Sequence, residues 1–151
     1  MCIRDRIGGG NTGSVVNTID FVTIASTGNA QDFGDQSQTV YGGGGGGNAT
    51  RGVMMGGATP ADTDKSDTIQ YLTIATRGNT LDFGDLTLAR RYGACCSSPI
   101  RAVYCGGLYP SVANVMDSIN IATTGDAIDF GDLFDHTFGI MNGCSNAHGG
   151  L

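Results

Sequence analysis

Asp32-Phe33-Gly34-Asp35 is repeated at residues 82–85 and again at residues 129–132. The phenylalanines of successive copies are 50 and then 47 residues apart. The match extends upstream, where Asn17–Ala25 aligns with Asp67–Ala75 at the same offset of 50 residues. Repetition with a period near fifty residues is typical of stacked supersecondary units. The chain is therefore predicted to be a tandem-repeat protein.

Two strands of each unit are predicted upstream of the tetrad. Arg51–Gly57 is an apolar run closed by a glycine pair, and Arg101–Gly107 repeats it. Thr68–Ala75 carries apolar residues on both of its faces, as expected for a strand that is covered on both sides. The third copy of this strand, Ser118–Ala122, is interpreted as two residues shorter, which leaves its remaining side chains on their original faces.

Two further strands are predicted around and beyond the tetrad. The turn that precedes it is Thr27-Gly28-Asn29, Arg77-Gly78-Asn79 or Thr124-Gly125-Asp126. In each copy, glycine is followed by a residue that tolerates positive φ, which favours a hairpin. Leu81–Leu88 then forms a strand, and a shorter one covers Tyr92–Ser97. Each unit is therefore predicted to contain four antiparallel strands.

The composition favours an all-β class. The chain has 26 glycines in 151 residues, 15% charged residues and no tryptophan, a pattern typical of short strands and tight turns. A net charge of −6 with only eight Lys and Arg residues argues against nucleic acid as a partner, because phosphate contacts need clustered basic residues. No stretch approaches the roughly 20 apolar residues of a membrane span, so no membrane partner is predicted. Composition leaves the localisation open.

The repeats resemble those of kelch-type β-propellers. The resemblance rests on the glycine pairs at 56–57 and 106–107, the aromatic Phe21 or Tyr71 in the next strand, the tetrad phenylalanines, and Arg90. Val40 and Thr137 occupy the positions that match Arg90. The resemblance implies an all-β fold, a partial propeller of about two and a half to three four-stranded antiparallel blades.

The repeats divide residues 7–151 into units 7–57, 58–107 and 108–151. Met1–Arg6 matches no unit, looks like an adapter-derived prefix and is excluded from the predicted fold. We expect the natural chain to be longer. Because so few blades cannot close a ring, we expect the isolated chain to expose sheet faces and edges and to aggregate.

Segments such as Thr23–Asn29 also resemble the repeats of large phage structural and tail-fibre proteins. This resemblance implies a non-enzymatic structural or interaction protein in a virion or outside the cell. Its partners would be a glycan or a protein, bound through inter-strand loops, and the remaining blades of the full-length chain. The loops at 58–66 and 108–116 differ most between copies, and loops often carry function.

Two alternative functions stay open at this stage. The first is a fragment of a propeller enzyme of the copper-oxidase type. The chain offers suitable residue types for such an enzyme without a copper-site spacing, at Tyr71, Tyr104, Tyr109, His136 and His148. The second is an open β-solenoid fibre, in which the units would stack along a line instead of a circle.

No catalytic, cofactor-binding or metal site is predicted. The carboxylates recur in every copy, at Asp32 and Asp35, Asp82 and Asp85, and Asp129 and Asp132. A catalytic pair should occur once, so we interpret these aspartates as turn residues that accept backbone N–H bonds. The phenylalanines between them are predicted to lie in the core.

The remaining motifs also have structural interpretations. Gly42–Asn48 lacks the Lys-Ser or Lys-Thr of a nucleotide loop and is predicted to be a strand whose small side chains avoid crowding. Asp62–Asp67 lacks the glycine and glutamate of a calcium loop. Gly13-Ser14 lacks the rest of a nucleophile elbow, and His136 has no nearby partner.

The cysteines form neither a zinc motif nor a disulfide framework. Cys144 and His148 have a ligand-like spacing, but Cys95 and Cys96 do not complete a repeated metal-binding pattern. Cys105 aligns with Met55 and Ile7 and is predicted to be a small buried residue in a strand. We therefore expect reduced thiols.

Overall fold

The computed structural model of the protein describes residues 4–60, 64–108, 110–135 and 143. These residues form eleven β-strands and contain no helix, which confirms the predicted all-β class. The strands are β1 (Arg4–Asn11), β2 (Val15–Thr23), β3 (Gln31–Asp35), β4 (Gly44–Gly47), β5 (Arg51–Met55), β6 (Thr68–Thr73), β7 (Leu81–Asp85), β8 (Ala94–Ser97), β9 (Arg101–Cys105), β10 (Val115–Asn120) and β11 (Ile128–Asp132).

The strands form three antiparallel sheets in which neighbours along the chain are neighbours in space. Sheet 1 contains β1 to β3, sheet 2 contains β4 to β7, and sheet 3 contains β8 to β11. Sheets 2 and 3 have the predicted four strands. Each begins with two strands that the sequence interpretation placed in the preceding unit, so the sheets and the units 7–57, 58–107 and 108–151 are out of phase.

The register of sheet 1 differs by one residue from the sequence alignment. Gly8 pairs with Ile19 of β2, at the place where Met55 pairs with Ile69 of β6. The counterpart of Met55 is therefore Gly8, whereas the sequence alignment predicted Ile7, which is 60% exposed. The alignment matched apolar side chains, but backbone pairing sets the register.

The strand β1 begins inside the segment that was excluded from the predicted fold. It starts at Arg4, so residues 4–6 belong to sheet 1, and Arg6 pairs with Phe21. Arg6 also donates a hydrogen bond to the carbonyl of Ile74, which directly follows β6 of sheet 2. Antiparallel pairing uses the N–H and C=O groups that almost every residue supplies, so a segment outside the repeat pattern can still extend a sheet.

The predicted shortening of the strand Ser118–Ala122 is wrong. β10 has six residues, as β6 has, and pairs with β9 in the register that β6 has with β5. The difference lies in the preceding loop, because Thr68 follows Gly57 by eleven residues and Val115 follows Gly107 by eight. A loop absorbs a deletion without disturbing the strand ladder, which explains its position.

The sheets stack face to face, with an apolar cluster in each space between them. The cluster between sheets 1 and 2 contains Ile19, Phe21, Phe33 and Leu72, with Met54 and Ile74 against it. The cluster between sheets 2 and 3 contains Val53, Met55, Ile69, Phe83, Leu86, Ala102, Tyr104, Ile119, Ile121 and Ala127. β6 contributes to both clusters, which confirms that it is a strand covered on both sides.

The strand β4 consists of glycines because the next sheet lies directly against it. A Cβ atom on Gly44 would lie 2.6 Å from the ring of Tyr104. The backbone N–H of Gly47 donates to the Ser97 hydroxyl at 3.2 Å. The predicted crowding around the run Gly42–Asn48 is therefore confirmed.

Candidate binding site

Each copy of the tetrad forms a β-bulge in the last strand of its sheet. In β7, Gly84 pairs with Ile69 and Asp82 pairs with Gln70, which leaves Phe83 as the extra residue. The register shifts at the same place in β3 and in β11. A bulge bends the strand and redirects a side chain. The tetrads therefore lie in bulged strands, whereas the sequence interpretation placed their aspartates in turns.

The buried phenylalanines confirm part of the core prediction. Phe33 and Phe83 are 5% and 3% exposed, whereas Phe130 is 48% exposed. The bulge thus aims all three rings to one side of their sheets, but only the first two meet a following sheet in the described structure.

The tetrad carboxylates have local roles. Asp129 accepts a hydrogen bond from the backbone N–H of Gly131 at 2.9 Å, as the sequence interpretation predicts. Burial, followed by the negative charges of Asp67 and then Asp126, raises the pKa of Asp85.

The loop between β6 and β7 of sheet 2 binds the backbone of the tetrad in sheet 1. The backbone N–H groups of Gly78 and Thr80 donate to the carbonyls of Phe33 and Asp35, both at 2.9 Å. The Asp35 N–H donates to Asn79 Oδ1 at 3.0 Å. The segment predicted as a hairpin turn therefore also joins two sheets. We call this set of three hydrogen bonds the clamp.

The same clamp joins sheets 2 and 3. The N–H groups of Gly125 and Ala127 donate to the carbonyls of Phe83 and Asp85 at 2.7 and 2.8 Å. The Asp85 N–H donates to Asp126 Oδ1 at 3.1 Å. An asparagine in one clamp and an aspartate in the other supply the same acceptor.

The tetrad glycines are required by the clamp. Gly34 and Gly84 have φ values of 149° and 144°, which favour glycine. A Cβ atom on Gly34 would lie 2.5 Å from the carbonyl group of Gly78, and one on Gly84 would lie 2.5 Å from that of Gly125. Only a residue without a side chain permits this approach.

A buried ion pair joins the segment between β7 and β8 to strand β10. Arg90 and Asp117 are 2.9 Å apart, and both side chains are 0% exposed. Arg90 also donates to the carbonyls of Gly106 and Tyr104 at 2.8 and 3.2 Å, while the Thr87 hydroxyl donates to Asp117 at 2.6 Å. The arginine that supports the kelch resemblance therefore has a structural role here.

The candidate binding site is a cluster of Tyr41, Arg91 and Tyr92, which we call the Tyr-Arg cluster. Arg91 Nη1 donates to the Tyr41 hydroxyl at 2.9 Å, and its guanidinium carbon lies 4.6 Å from the ring centroid of Tyr92. The two rings meet edge to face with centroids 6.4 Å apart. All three side chains are half-buried, so each keeps contact with solvent.

The backbone of Tyr92 is strained. Its φ of 63° makes it the one non-glycine residue with positive φ in the described part of the chain, and its counterpart Gly42 has a φ of 69°. Such a conformation costs on the order of 1–3 kcal/mol for a bulky residue and is concentrated at functional sites. The Tyr92 N–H donates to the Gly42 carbonyl at 2.6 Å.

The two most variable loops begin beside the Tyr-Arg cluster. Tyr41 and Ala58 exchange backbone hydrogen bonds of 3.0 and 2.8 Å, and Arg91 and Leu108 exchange bonds of 3.3 and 2.9 Å. Ala58 and Leu108 are the first residues of these loops. The cluster therefore lies where sequence variation between the copies is greatest.

The sequence interpretation did not include this cluster, because it placed Tyr92 at the start of a strand. β8 instead begins at Ala94, and Tyr92 turns the chain before it. The available signal was the repeat alignment itself, in which a tyrosine stands opposite Gly42 at a position whose backbone favours glycine.

The metal-like motifs gain no support in the described residues, where no three His, Cys, Asp or Glu side chains form a group that could hold a metal. Cys95, Cys96 and Cys105 are free thiols, as expected, although Cys105 is half-buried instead of buried. Several residues named in the sequence interpretations lie outside the described residues: Asp62, Thr63, Tyr109, His136, Thr137, Cys144 and His148.

The two described tyrosines of the oxidase alternative have structural roles. Tyr104 is fully buried, and its hydroxyl accepts the Gly93 N–H at 3.1 Å. Burial raises the pKa of Tyr104 to about 12. Tyr71 lies edge to face with Phe83, and the Arg51 guanidinium stacks 4.7 Å from its centroid.

A scan against family models and a search of curated proteins find no match to this chain. In the described part of the chain there is no helix of the length and apolarity needed to cross a membrane. The candidate site therefore rests on the geometry of the chain itself.

Proposed function

We propose that the protein is a non-enzymatic repeat protein that binds a glycan through the loop end of its sheets, with the Tyr-Arg cluster at the centre. The observation that carries the proposal is the positive φ of Tyr92. This residue lies against Arg91 and Tyr41, beside two variable loops. Tyrosine supplies an apolar ring and a hydroxyl, and arginine supplies a fork of donors. This combination suits a polyhydroxylated ligand.

We also propose that the three sheets are successive blades of a kelch-like β-propeller within a larger phage tail-fibre or surface protein. Support comes from the sequential antiparallel strand order, the face-to-face packing and the glycine pairs at 56–57 and 106–107. Counting the repeats in the full-length gene tests this assignment. Six to eight units in one block favour a closed propeller, whereas dozens favour an open fibre.

Binding is tested with the labelled full chain on a glycan array. We expect Tyr92→Gly to weaken binding at least tenfold, which corresponds to about 1.4 kcal/mol. The variant should keep its cooperative unfolding, because Gly42 holds the same conformation in the preceding unit. Tyr71→Phe is the matched control, because it alters a tyrosine packed on Phe83 and should bind like the wild type.

Equal glycan binding by the wild type and Tyr92→Gly would remove the Tyr-Arg cluster from the proposal. Binding to no glycan, combined with capture of a protein that depends on Tyr92, would replace the glycan by a protein ligand.

A further inference from the structure

The outer face of sheet 3 carries side chains that correspond to those with which sheet 2 packs against sheet 3. Sheet 2 buries five apolar residues against sheet 3, at Val53, Met55, Ile69, Phe83 and Leu86. Strand register and backbone bonding assign their counterparts in sheet 3 as Val103, Cys105, Met116, Phe130 and Leu133. Four of these counterparts are half-buried, and Phe130 is 48% exposed.

The backbone of β11 is also prepared for a clamp. Gly131 has a φ of 130°, in the same region as Gly34 and Gly84. Among the described residues, the nearest atom to a Cβ placed on Gly131 is the Met116 methyl carbon at 3.8 Å. No described atom therefore fills the space that Gly78 and Gly125 fill at the other two tetrads.

Sheet 1 carries the complementary half of the interface. The loop Thr27–Ala30 is the counterpart of the clamp residues 77–80, and no described atom lies within 4 Å of a Cβ placed on Gly28. Ile7 and Ile24 are 60% and 57% exposed. They occupy the places of Met54 and Ile74, which pack against the cluster between sheets 1 and 2.

We infer that a second copy of residues 1–151 docks head to tail on sheet 3, in the place that a following blade of a longer protein would take, by placing its residues 27–30 against β11. Gly28 and Ala30 of the second copy donate their N–H groups to the carbonyls of Phe130 and Asp132. Asn29 of the second copy accepts the Asp132 N–H through Oδ1. The contact repeats the two clamps within the chain, so its chemistry is already established at sheets 1, 2 and 3.

This contact is heterologous, because the two copies use different surfaces. A heterologous contact leaves one free end of each kind and propagates into rings or filaments. The inference does not depend on ligand binding, because the Tyr-Arg cluster lies near the opposite ends of the strands from the clamp loops.

Sedimentation velocity of the full chain over a range of concentrations tests the inference. The wild type should form larger species as its concentration rises. Ile24→Asp blocks the surface of sheet 1, and Phe130→Asp blocks that of sheet 3, so each variant alone should be monomeric. Their mixture should form a one-to-one dimer and nothing larger, since each partner retains one intact surface.

Ile100→Asp is the matched control, because Ile100 is 68% exposed and lies in the β8–β9 turn, outside both surfaces. It should associate like the wild type. A wild type that stays monomeric at all concentrations, or Ile24→Asp and Ile100→Asp variants that associate equally, would overturn the inference.

A second pair of variants covers the case in which Phe130→Asp does not fold. Asn29→Ala removes the clamp acceptor and should weaken association several-fold, whereas Asn29→Asp should retain it because Asp126 has that role between sheets 2 and 3. Equal association of these two variants would contradict the docking geometry.

Discussion

At residue scale, Arg90 shows how a fully buried charge is tolerated. Its guanidinium donates to Asp117, to Leu88 and to the carbonyls of Gly106 and Tyr104. Removing a guanidinium and a carboxylate from water costs several kcal/mol each, so every donor needs an acceptor. At the interface between sheets 1 and 2, the positions of Arg90 and Asp117 are occupied by Val40 and Gln70, both buried.

The two pairs give a prediction. Arg90→Val should destabilise the protein by about 3–5 kcal/mol, because it leaves the Asp117 carboxylate buried without its counter-charge. Adding Asp117→Gln should restore much of that loss, since the pair then copies Val40 and Gln70. Urea denaturation of the single and double variants measures both values. A double variant no more stable than Arg90→Val would contradict this account.

Tyr104 gives a prediction for alkaline pH. Burial raises its pKa from 10 to about 12, so the folded state favours the neutral phenol. Its contribution to stability is fully present below pH 10 and is lost as the pH rises towards 12. Burial also raises the pKa of Cys95 from 9 to about 12, so this thiol adds to the loss.

Tyr104→Phe should therefore unfold with a weaker dependence on pH between 10 and 12 than the wild type. At neutral pH it should be about 1 kcal/mol less stable, because the Gly93 N–H loses its acceptor. Denaturant unfolding at a series of pH values measures both effects. An unchanged slope above pH 10 would show that Tyr104 does not control alkaline unfolding.

At element scale, the bulged strand and the clamp loop form one structural device. The Phe-Gly-Asp bulge sends its ring into the core and leaves its backbone groups for the next unit. Because β7 is an edge strand of its sheet, the clamp also covers groups that would otherwise be unpaired. Two neighbouring units are thereby tied through the backbone as well as through apolar contact.

Two glycine substitutions test how much the close backbone contact between tetrad and clamp loop requires glycine. Gly84→Ala and Gly131→Ala both place a side chain at positive φ, at 144° and 130°. Only the first also brings a Cβ atom to 2.5 Å from a carbonyl group, that of Gly125. At low protein concentration, Gly84→Ala should therefore lose at least about 2 kcal/mol more stability. Equal losses in thermal or urea unfolding would show that the approach imposes no cost.

Sequence was informative about elements because each strand carries a local signal. Periodicity and turn glycines located the strands around the tetrad, and the buried rings of Phe33 and Phe83 follow from their repetition. The positive φ of Tyr92 and the hydrogen-bond acceptors of Arg90 depend on contacts between units, so no local sequence pattern predicts them. The same reason explains the Ile7 error, because register is a property of two paired strands.

At the scale of the whole molecule, sheet 2 packs against another sheet on both faces, whereas sheets 1 and 3 each pack against one other sheet among the described residues. In stacked repeats, stability is approximately the sum of each unit and its contacts with neighbours. The sequence predicted the number of units and the exposure of apolar faces. It gave no direction to their association, because the complementarity of Ile24 and Phe130 emerges only after the strands are placed in register.

The unequal loops before β6 and β10 have a consequence for how such a protein can change. Thr68 follows Gly57 by eleven positions and Val115 follows Gly107 by eight, yet the following strands keep one register. Doubling a flexible loop costs only about 0.6 kcal/mol in closure entropy. Insertions can therefore accumulate at this end of the sheets while the clamps at the other end stay intact. The loop end can vary in sequence and length without changing how the sheets are joined.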